Sequence, residues 1–194
     1  PILTYHNDPA LKARIIEQAR HHLAADMLVR GTYGNRDGSK FRGCSVGCFA
    51  NDIDPERSDY HAVVAEHAGW PEWLVRLSDA LFEGLPEGER DAFHVALREV
   101  VPVGVDIGPV RYRLSIARHQ RRLARFEGNA EPYAQQVCDA LRGVITWCEA
   151  QTAGAGSDAQ RSVAESARSA AWSAAWSAAE SVAESVAESA RSVA

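Results

Sequence analysis

Apolar residues recur at helical spacing along most of the chain. Asp8 and Pro9 form a typical helix start, with the aspartate as N-cap and the proline as the first helical residue. Every fourth position from Leu11 to Met27 is then apolar, which predicts a helix over residues 9–30. The same reasoning predicts five more helices. Three of them have both ends predicted, at 58–67, 87–100 and 109–127, and the other two begin at residues 71 and 132.

Glycine-rich sequence interrupts this pattern between residues 31 and 48. The glycines of this segment and its Asp37-Gly38 pair predict a short β-hairpin or an ordered loop. The expected fold is therefore mainly α, with a compact helical domain that carries this short Gly/Cys-rich β-hairpin or loop. We expect the domain over 1–150, a linker over 151–158, and an extended low-complexity helical tail over 159–194.

The tail is repetitive and rich in alanine and serine. The sequence Ser-Val-Ala-Glu-Ser-Ala-Arg-Ser occurs at residues 162–169 and again at 185–192. On a helical projection, one arc carries small and apolar side chains, and two of these are tryptophans. The association residues predicted on this arc are Trp172, Trp176, Val182 and Val186. Because tryptophans are costly to leave in water, we expect the tail to dock on its own domain or to pair with another copy, and we predict a homo-oligomer.

The composition excludes several classes of function. A chain of 194 residues, 46% of them hydrophobic, can bury a substantial core. The formal net charge of -5 opposes general binding to nucleic acid or to an anionic membrane surface, so nucleic acid is not expected as a partner. No stretch has the roughly 20 apolar residues of a membrane span, and no leader is evident. Four cysteines are too few for a disulfide scaffold, so we expect a cytoplasmic protein with reduced thiols.

The sequence Gly43-Cys44-Ser45-Val46-Gly47-Cys48 is the first candidate for chemistry. It contains Gly-x-Ser-x-Gly, the nucleophile elbow of serine hydrolases, but the preceding residues make a poor buried strand. Its cysteines also match the spacing of a two-cysteine, two-histidine zinc site, although the intervening segment lacks the core residues of a zinc finger. The four ligands of that site are Cys44, Cys48, His61 and His67.

Two further interpretations of this loop stay open. Cys44 or Cys48 could be a nucleophile if backbone amides or a histidine such as His6 activated its thiol. Alternatively, the small residues let a tight turn pack against the helices, with both thiols buried and inert. Histidines within predicted helices, among them His22 and His94, are interpreted as core or surface residues. We expect no cofactor, with zinc as the alternative.

The predicted helix over 109–127 carries six arginines and no acidic residue between its first and last arginine. At about 100° per residue, five of them share roughly a quarter to a third of the circumference, opposite an apolar side. These five are Arg111, Arg118, Arg121, Arg122 and Arg125. Arginine forks bind phosphates and carboxylates, so this side is a candidate site for an anionic small molecule or an acidic protein. The alternative is a solvated face that the protein's own acids balance, including the glutamates of the tail.

Four elements of the sequence occur together in this chain. They are Thr4-Tyr5-His6-Asn7-Asp8-Pro9-Ala10, Gly31-Thr32-Tyr33, the Gly-Cys-x-Val-Gly-Cys sequence at 43–48 and Pro102-Val103-Gly104-Val105-Asp106. With these elements the chain resembles a group of uncharacterised bacterial and phage-associated proteins. The tails of those proteins are likewise rich in alanine, and the resemblance covers nearly the whole chain. It implies no particular activity, but a phage or prophage origin would favour a host-interaction or defence-related binding role.

The predicted function is a non-catalytic binding or interaction protein. Its arginine-rich helix would bind an anionic ligand or an acidic partner, and its tail would dock or self-associate. The alternative is a small zinc- or cysteine-dependent enzyme that uses the loop from Cys44 to Cys48.

Overall fold

A computed structural model describes residues 2–38, 40–129, 131, 133–154 and 169. In this part, the chain forms seven α-helices and one two-stranded antiparallel sheet, which confirms the mainly α fold. The helices are α1 (Pro9–Ala24), α2 (Ser45–Ile53), α3 (Tyr60–Ala68), α4 (Glu72–Gly84), α5 (Glu87–Val100), α6 (Val110–Phe126) and α7 (Ala134–Thr152). The strands are β1 (Asn35–Asp37) and β2 (Lys40–Arg42).

The chain divides into two compact units, Pro1–Gly108 and Pro109–Ala194. The loop that follows α5 closes the first unit. In this loop Gly104 has a positive φ of 72°, and its amide donates to the carbonyl oxygen of Thr4 at 2.9 Å. The end of the first unit is therefore paired with its beginning.

The helix α2 lies in the core of the first unit. Every residue from Ser45 to Ala50 is buried, and α1, α3 and α4 all pack against this helix. Other large buried side chains of this core are Tyr5, Ile15, Val63, Val75 and Phe82.

The helix α1 ends at Ala24, before the predicted end. Asp26 has a positive φ of 52°, so the chain turns and then runs beside Gly43. Val29 N donates to the carbonyl oxygen of Gly43, and Gly43 N donates to that of Met27, each at 2.9 Å. Non-local backbone pairing therefore replaces the last turns of the predicted helix.

The predicted hairpin is present, but the helix that follows it, α2, is not predicted from the sequence. The strands β1 and β2 pair antiparallel, with Asn35 opposite Arg42. The glycines at 43 and 47 suggest a turn, yet α2 begins between them. Cys44 is the N-cap of this helix, and its Sγ accepts a hydrogen bond from Gly47 N at 3.3 Å.

The helix α5 has the predicted bounds, and Leu97 packs against the core as predicted, but its fully buried residues are not the predicted ones. Apolar spacing predicts Phe93, Leu97 and Val100 as inward residues, yet Val100 is 72% exposed. The buried residues recur at i, i+4 and i+8 and are all polar. They are Arg90, His94 and Arg98.

The helices α6 and α7 pack against each other in the second unit. Tyr112 of α6 meets Trp147 of α7 edge to face, with ring centroids 5.6 Å apart. The buried side chains of the pair come from α7 and include Val137, Cys138, Ile145 and Cys148. The helix α7 continues to Thr152, which lies within the predicted linker.

The predicted association residues lie outside the described part of the chain. They are Trp172, Trp176, Val182 and Val186. Among the helices that the structure describes, none combines the length and the apolar character needed to cross a membrane.

Candidate functional site

The five arginines predicted as a binding surface lie on the exposed side of α6. We call this set, which is Arg111, Arg118, Arg121, Arg122 and Arg125, the arginine face. In the described residues, no acidic side chain forms an ion pair with any of the five. Arg111 donates to the hydroxyl of Tyr112 and lies 4.5 Å from its ring centroid. The arginine face therefore presents guanidinium groups that an anion can reach.

Both cysteines of the Gly-Cys sequence are buried, and neither is activated. Burial raises the pKa of Cys44 and the pKa of Cys48 to about 12, so both thiols are protonated at neutral pH. His6 does not activate them, since its Nε2 lies 2.8 Å from the carbonyl oxygen of Glu66. The geometry does not support catalysis by a free thiolate at either position.

The predicted zinc ligands do not form one group. The predicted ligands are Cys44, Cys48, His61 and His67. Cys48 directs its thiol to backbone carbonyl oxygens, and His61 Nε2 lies 2.9 Å from Asp79 Oδ2. Within the described residues, one group of three potential ligands has all its ligand atoms within 4.8 Å of one another. It combines Cys44 with Asp79 and Glu83, because the N-terminus of α2 packs beside α4 and not beside His67.

A chain of polar side chains lies buried between α1, α2 and α5. His22 Nε2 lies 2.8 Å from Asp52 Oδ2, and His22 Nδ1 lies 3.3 Å from His94 Nε2. His94 Nδ1 lies 2.9 Å from Ser45 Oγ, which also accepts from Arg98 Nη2 at 3.0 Å. We call these five residues the buried polar chain.

With neutral imidazoles, one assignment of protons satisfies every bond of the buried polar chain. The Asp52 carboxylate requires a proton on His22 Nε2, so His22 Nδ1 must accept from His94 Nε2. His94 Nδ1 then accepts from the Ser45 hydroxyl, whose oxygen accepts from Arg98. The chain thus connects a buried cation at one end with a carboxylate at the other.

Each end of the buried polar chain is stabilised by neighbouring groups. Burial lowers the pKa of Arg98 to about 10, but the guanidinium stays protonated at neutral pH. It lies 4.7 Å from the ring centroid of Phe49 and 5.7 Å from that of Trp70, so aromatic faces take the place of a carboxylate partner. At the other end, burial raises the pKa of Asp52, but hydrogen bonds from His22 and other donors outweigh it and lower the pKa below its usual value.

The order of carboxylate, imidazole and hydroxyl resembles a proton relay. The hydroxyl and both imidazoles are buried, however, so a substrate cannot reach them. Ser45 is 1% exposed, and His22 and His94 are fully buried. The cavity beside Arg98 has a volume of about 10 Å³, which is room for one water molecule at most. We therefore interpret the buried polar chain as a structural feature that stabilises the first unit.

We expect the free energy of unfolding to fall as the pH drops below about 6.5. Burial, and then the charges of Arg98 and His22, hold the pKa of His94 well below 6.5 in the native state. Between these two pKa values the unfolded chain binds a proton at His94 and the native chain does not. Stability is then lost by about 1.4 kcal/mol per pH unit for this group.

Urea unfolding at about pH 7.5 and about pH 5.5 tests this expectation. The variant His94→Gln should flatten the pH dependence over this range. His67 contributes in the same direction, because burial and the charges of His6 and Arg14 lower its pKa. Asp52 adds a loss only below about pH 4, since its native pKa is lowered from 3.8. If the free energy of unfolding changed equally with pH in the wild type and in His94→Gln, the pH dependence would not come from His94.

The arginine face is evident from the sequence, but the two polar clusters of the first unit are not. Arg90, His94 and Arg98 recur every fourth residue on a helix, and so do Asp79 and Glu83. That spacing is the available signal that polar groups share one face. It does not reveal which face is buried, or which other helix lies opposite.

Comparisons with known proteins add no relative. No protein-family model matches the sequence, and no curated protein or solved structure is significantly similar to it.

Proposed function

We propose that this protein is a non-catalytic binding protein that uses the arginine face of α6 to hold an acidic partner. The observation that supports this function is the row of five exposed guanidinium groups on one helix side, with no described acidic side chain paired to them. Arginine binds carboxylates through paired N–H donors, so such a row suits recognition of acidic side chains.

The length of the arginine face favours an extended partner over a single small anion. From Arg111 to Arg125 the helix rises by about 21 Å, at about 1.5 Å per residue. A linear acidic protein segment can contact several guanidinium groups over this distance. A nucleic acid would extend its phosphates beyond the arginine face, over the rest of a chain whose net charge is -5, whereas a short acidic segment needs to contact only the arginine face.

Binding of a fluorescent polyglutamate peptide at about 0.15 M salt tests the proposal, since long-range attraction is largely screened there. We expect Arg118→Gln to weaken binding by up to about fivefold, because each exposed ion pair contributes up to about 1 kcal/mol. The matched control is Arg113→Gln, which removes the same charge from the same exposed helix but away from the arginine face. We expect it to change binding by less than about twofold.

Equal effects of the two substitutions would show that net charge, and not the arginine face, attracts the peptide.

The protein's own tail is a competing acidic segment, with glutamates at 165, 180, 184 and 188. Replacing these four with glutamine should strengthen peptide binding if the tail occupies the arginine face. Self-association through Trp172 and Trp176, and a phage or prophage setting, stay predictions of the sequence.

A further inference from the structure

The side chains around Asp79 form a second polar cluster in the first unit. Asp79 and Glu83 are four residues apart on α4, so their carboxylates share one face of this helix. Cys44, the N-cap of α2, places its thiol against that face. One ligand atom from each of the three residues lies within 4.8 Å of the other two.

The two oxygens of the Asp79 carboxylate differ in their hydrogen bonding. Its Oδ2 lies 2.9 Å from His61 Nε2 and accepts from the Tyr33 hydroxyl at 3.3 Å. Its Oδ1 is buried and has no hydrogen-bond partner among the residues that the structure describes. The Cys44 thiol lies beside this carboxylate, but a thiol is a weak donor. A buried carboxylate oxygen without a partner indicates that an ion or a water belongs there.

The charges of the cluster also favour binding of a cation. Glu83 Oε2 accepts from the amide of Gly31 at 2.9 Å, which fixes a second carboxylate close to the first. Within the described part of the chain, no lysine or arginine side chain forms an ion pair with Asp79 or Glu83. Two neighbouring carboxylates repel each other unless a proton or a cation lies between them.

The donor set selects the kind of ion. A thiolate together with carboxylates suits zinc and similar transition metals, whereas calcium and magnesium prefer oxygen ligands alone. Ligand atoms around a tetrahedral zinc lie about 3.5 Å apart, so a spacing within 4.8 Å requires only small side-chain adjustments. His61 holds Asp79 from outside the group, as the second layer of a metal site usually does.

We propose that Cys44, Asp79 and Glu83 form a binding site for one Zn²⁺-type divalent ion, with His61 and Tyr33 positioning the Asp79 carboxylate. On binding, the Cys44 thiol gives its proton to solvent and forms a sulfur–metal bond. Cys48 and His67 take no part. This site does not depend on the arginine face, so either proposal can fail without the other.

Titration of the metal-free full-length chain with Co²⁺ tests the site, because thiolate ligation gives a strong near-ultraviolet charge-transfer band. We expect one ion per chain, displacement of Co²⁺ by Zn²⁺, and a rise in the melting temperature when either ion is present. Cys44→Ser should remove the band, and it keeps a good N-cap side chain for α2. The matched control is Cys48→Ser, which alters an equally buried thiol of the same helix and should keep the band.

The carboxylates are tested by a substitution at the half-exposed end of the cluster. Glu83→Gln should weaken binding at least tenfold while the circular dichroism spectrum stays native, so it tests the site even if Cys44→Ser fails to fold. His61→Asn should keep the band but weaken binding by about tenfold, as expected of a positioning residue. Absence of a thiolate band in the wild type, loss of the band in Cys48→Ser, or unchanged affinity in Glu83→Gln would overturn the proposal.

Discussion

The substitution Gly47→Ala is expected to abolish the native fold. A Cβ atom at this position would lie 1.5 Å from the carbonyl oxygen of Tyr33 and 2.4 Å from its carbonyl carbon. Both are backbone atoms, so no side chain can rotate to make room. The neighbouring carbonyl of Thr32 accepts from Cys44 N at 2.8 Å, which holds this segment against α2.

Relief of this clash requires α2 to move away from the segment before β1, although α2 lies in the core. We expect the loss to exceed about 4 kcal/mol, which is a large share of the stability of a small domain. The expected result is a chain without a cooperative thermal transition by circular dichroism.

Gly88→Ala is the matched control, since Gly88 is also helical but an added Cβ would meet no other described part of the chain within 4 Å, apart from its sequence neighbours and its own helix backbone. It lies in the first turn of α5 and is exposed. Alanine is the better helix former, so we expect a gain of up to about 1 kcal/mol. A native melting transition in Gly47→Ala would show that the Tyr33 carbonyl does not lie against α2.

Elements that depend on neighbouring residues are predicted correctly from the sequence, whereas elements that depend on contacts between distant residues are not. The start of α1 is predicted correctly because Asp8 and Pro9 act locally, and Asp8 Oδ1 accepts from the amide of Ala10. The helix α2 is missed because Gly43 and Gly47 resemble turn residues. Both glycines instead allow the backbone of Tyr33 to come close, which is a contact between distant parts of the chain.

The same distinction applies to the candidate sites. The arginine face is visible in the sequence because its members share one helix, and its exposure follows from its polarity. The cluster around Asp79 requires α2 and α4 to meet, and no spacing within either helix predicts that meeting. The error in α5 has a related cause, because Arg98 is buried only where Ser45 and two aromatic rings stabilise its charge.

Ser45→Ala is expected to destabilise the protein strongly through the buried polar chain. The Ser45 hydroxyl bonds to His94 Nδ1 at 2.9 Å and accepts from Arg98 Nη2 at 3.0 Å. Without it, a buried imidazole nitrogen and a buried guanidinium N–H both lack partners. An unsatisfied buried group costs about 1–3 kcal/mol, and more when it is charged. We therefore expect the free energy of unfolding to fall by about 2–4 kcal/mol in urea titrations.

Ser78→Ala is the control for losing a buried hydroxyl. Ser78 is as buried as Ser45, at 1% exposure, but its hydroxyl donates only to the carbonyl oxygen of Val75, one turn earlier in its own helix. Its removal leaves no buried group of a distant element unpaired, so we expect a loss below about 1 kcal/mol. Similar losses in the two variants would indicate that the hydrogen bonds of Ser45 contribute nothing beyond its packing.

A double-mutant cycle isolates the bond between Ser45 and Arg98 from the rest of the chain. The variant Arg98→Met removes the cation and keeps much of the side-chain volume between Phe49 and Trp70. In that background, Ser45→Ala leaves no guanidinium unpaired, so it should cost less by about 1–2 kcal/mol. Additive losses would show that the hydroxyl does not stabilise the buried charge. The stabilisation of Arg98 would then come from the aromatic faces and from the carbonyl oxygen of His94, which accepts from Arg98 Nη1 at 2.8 Å.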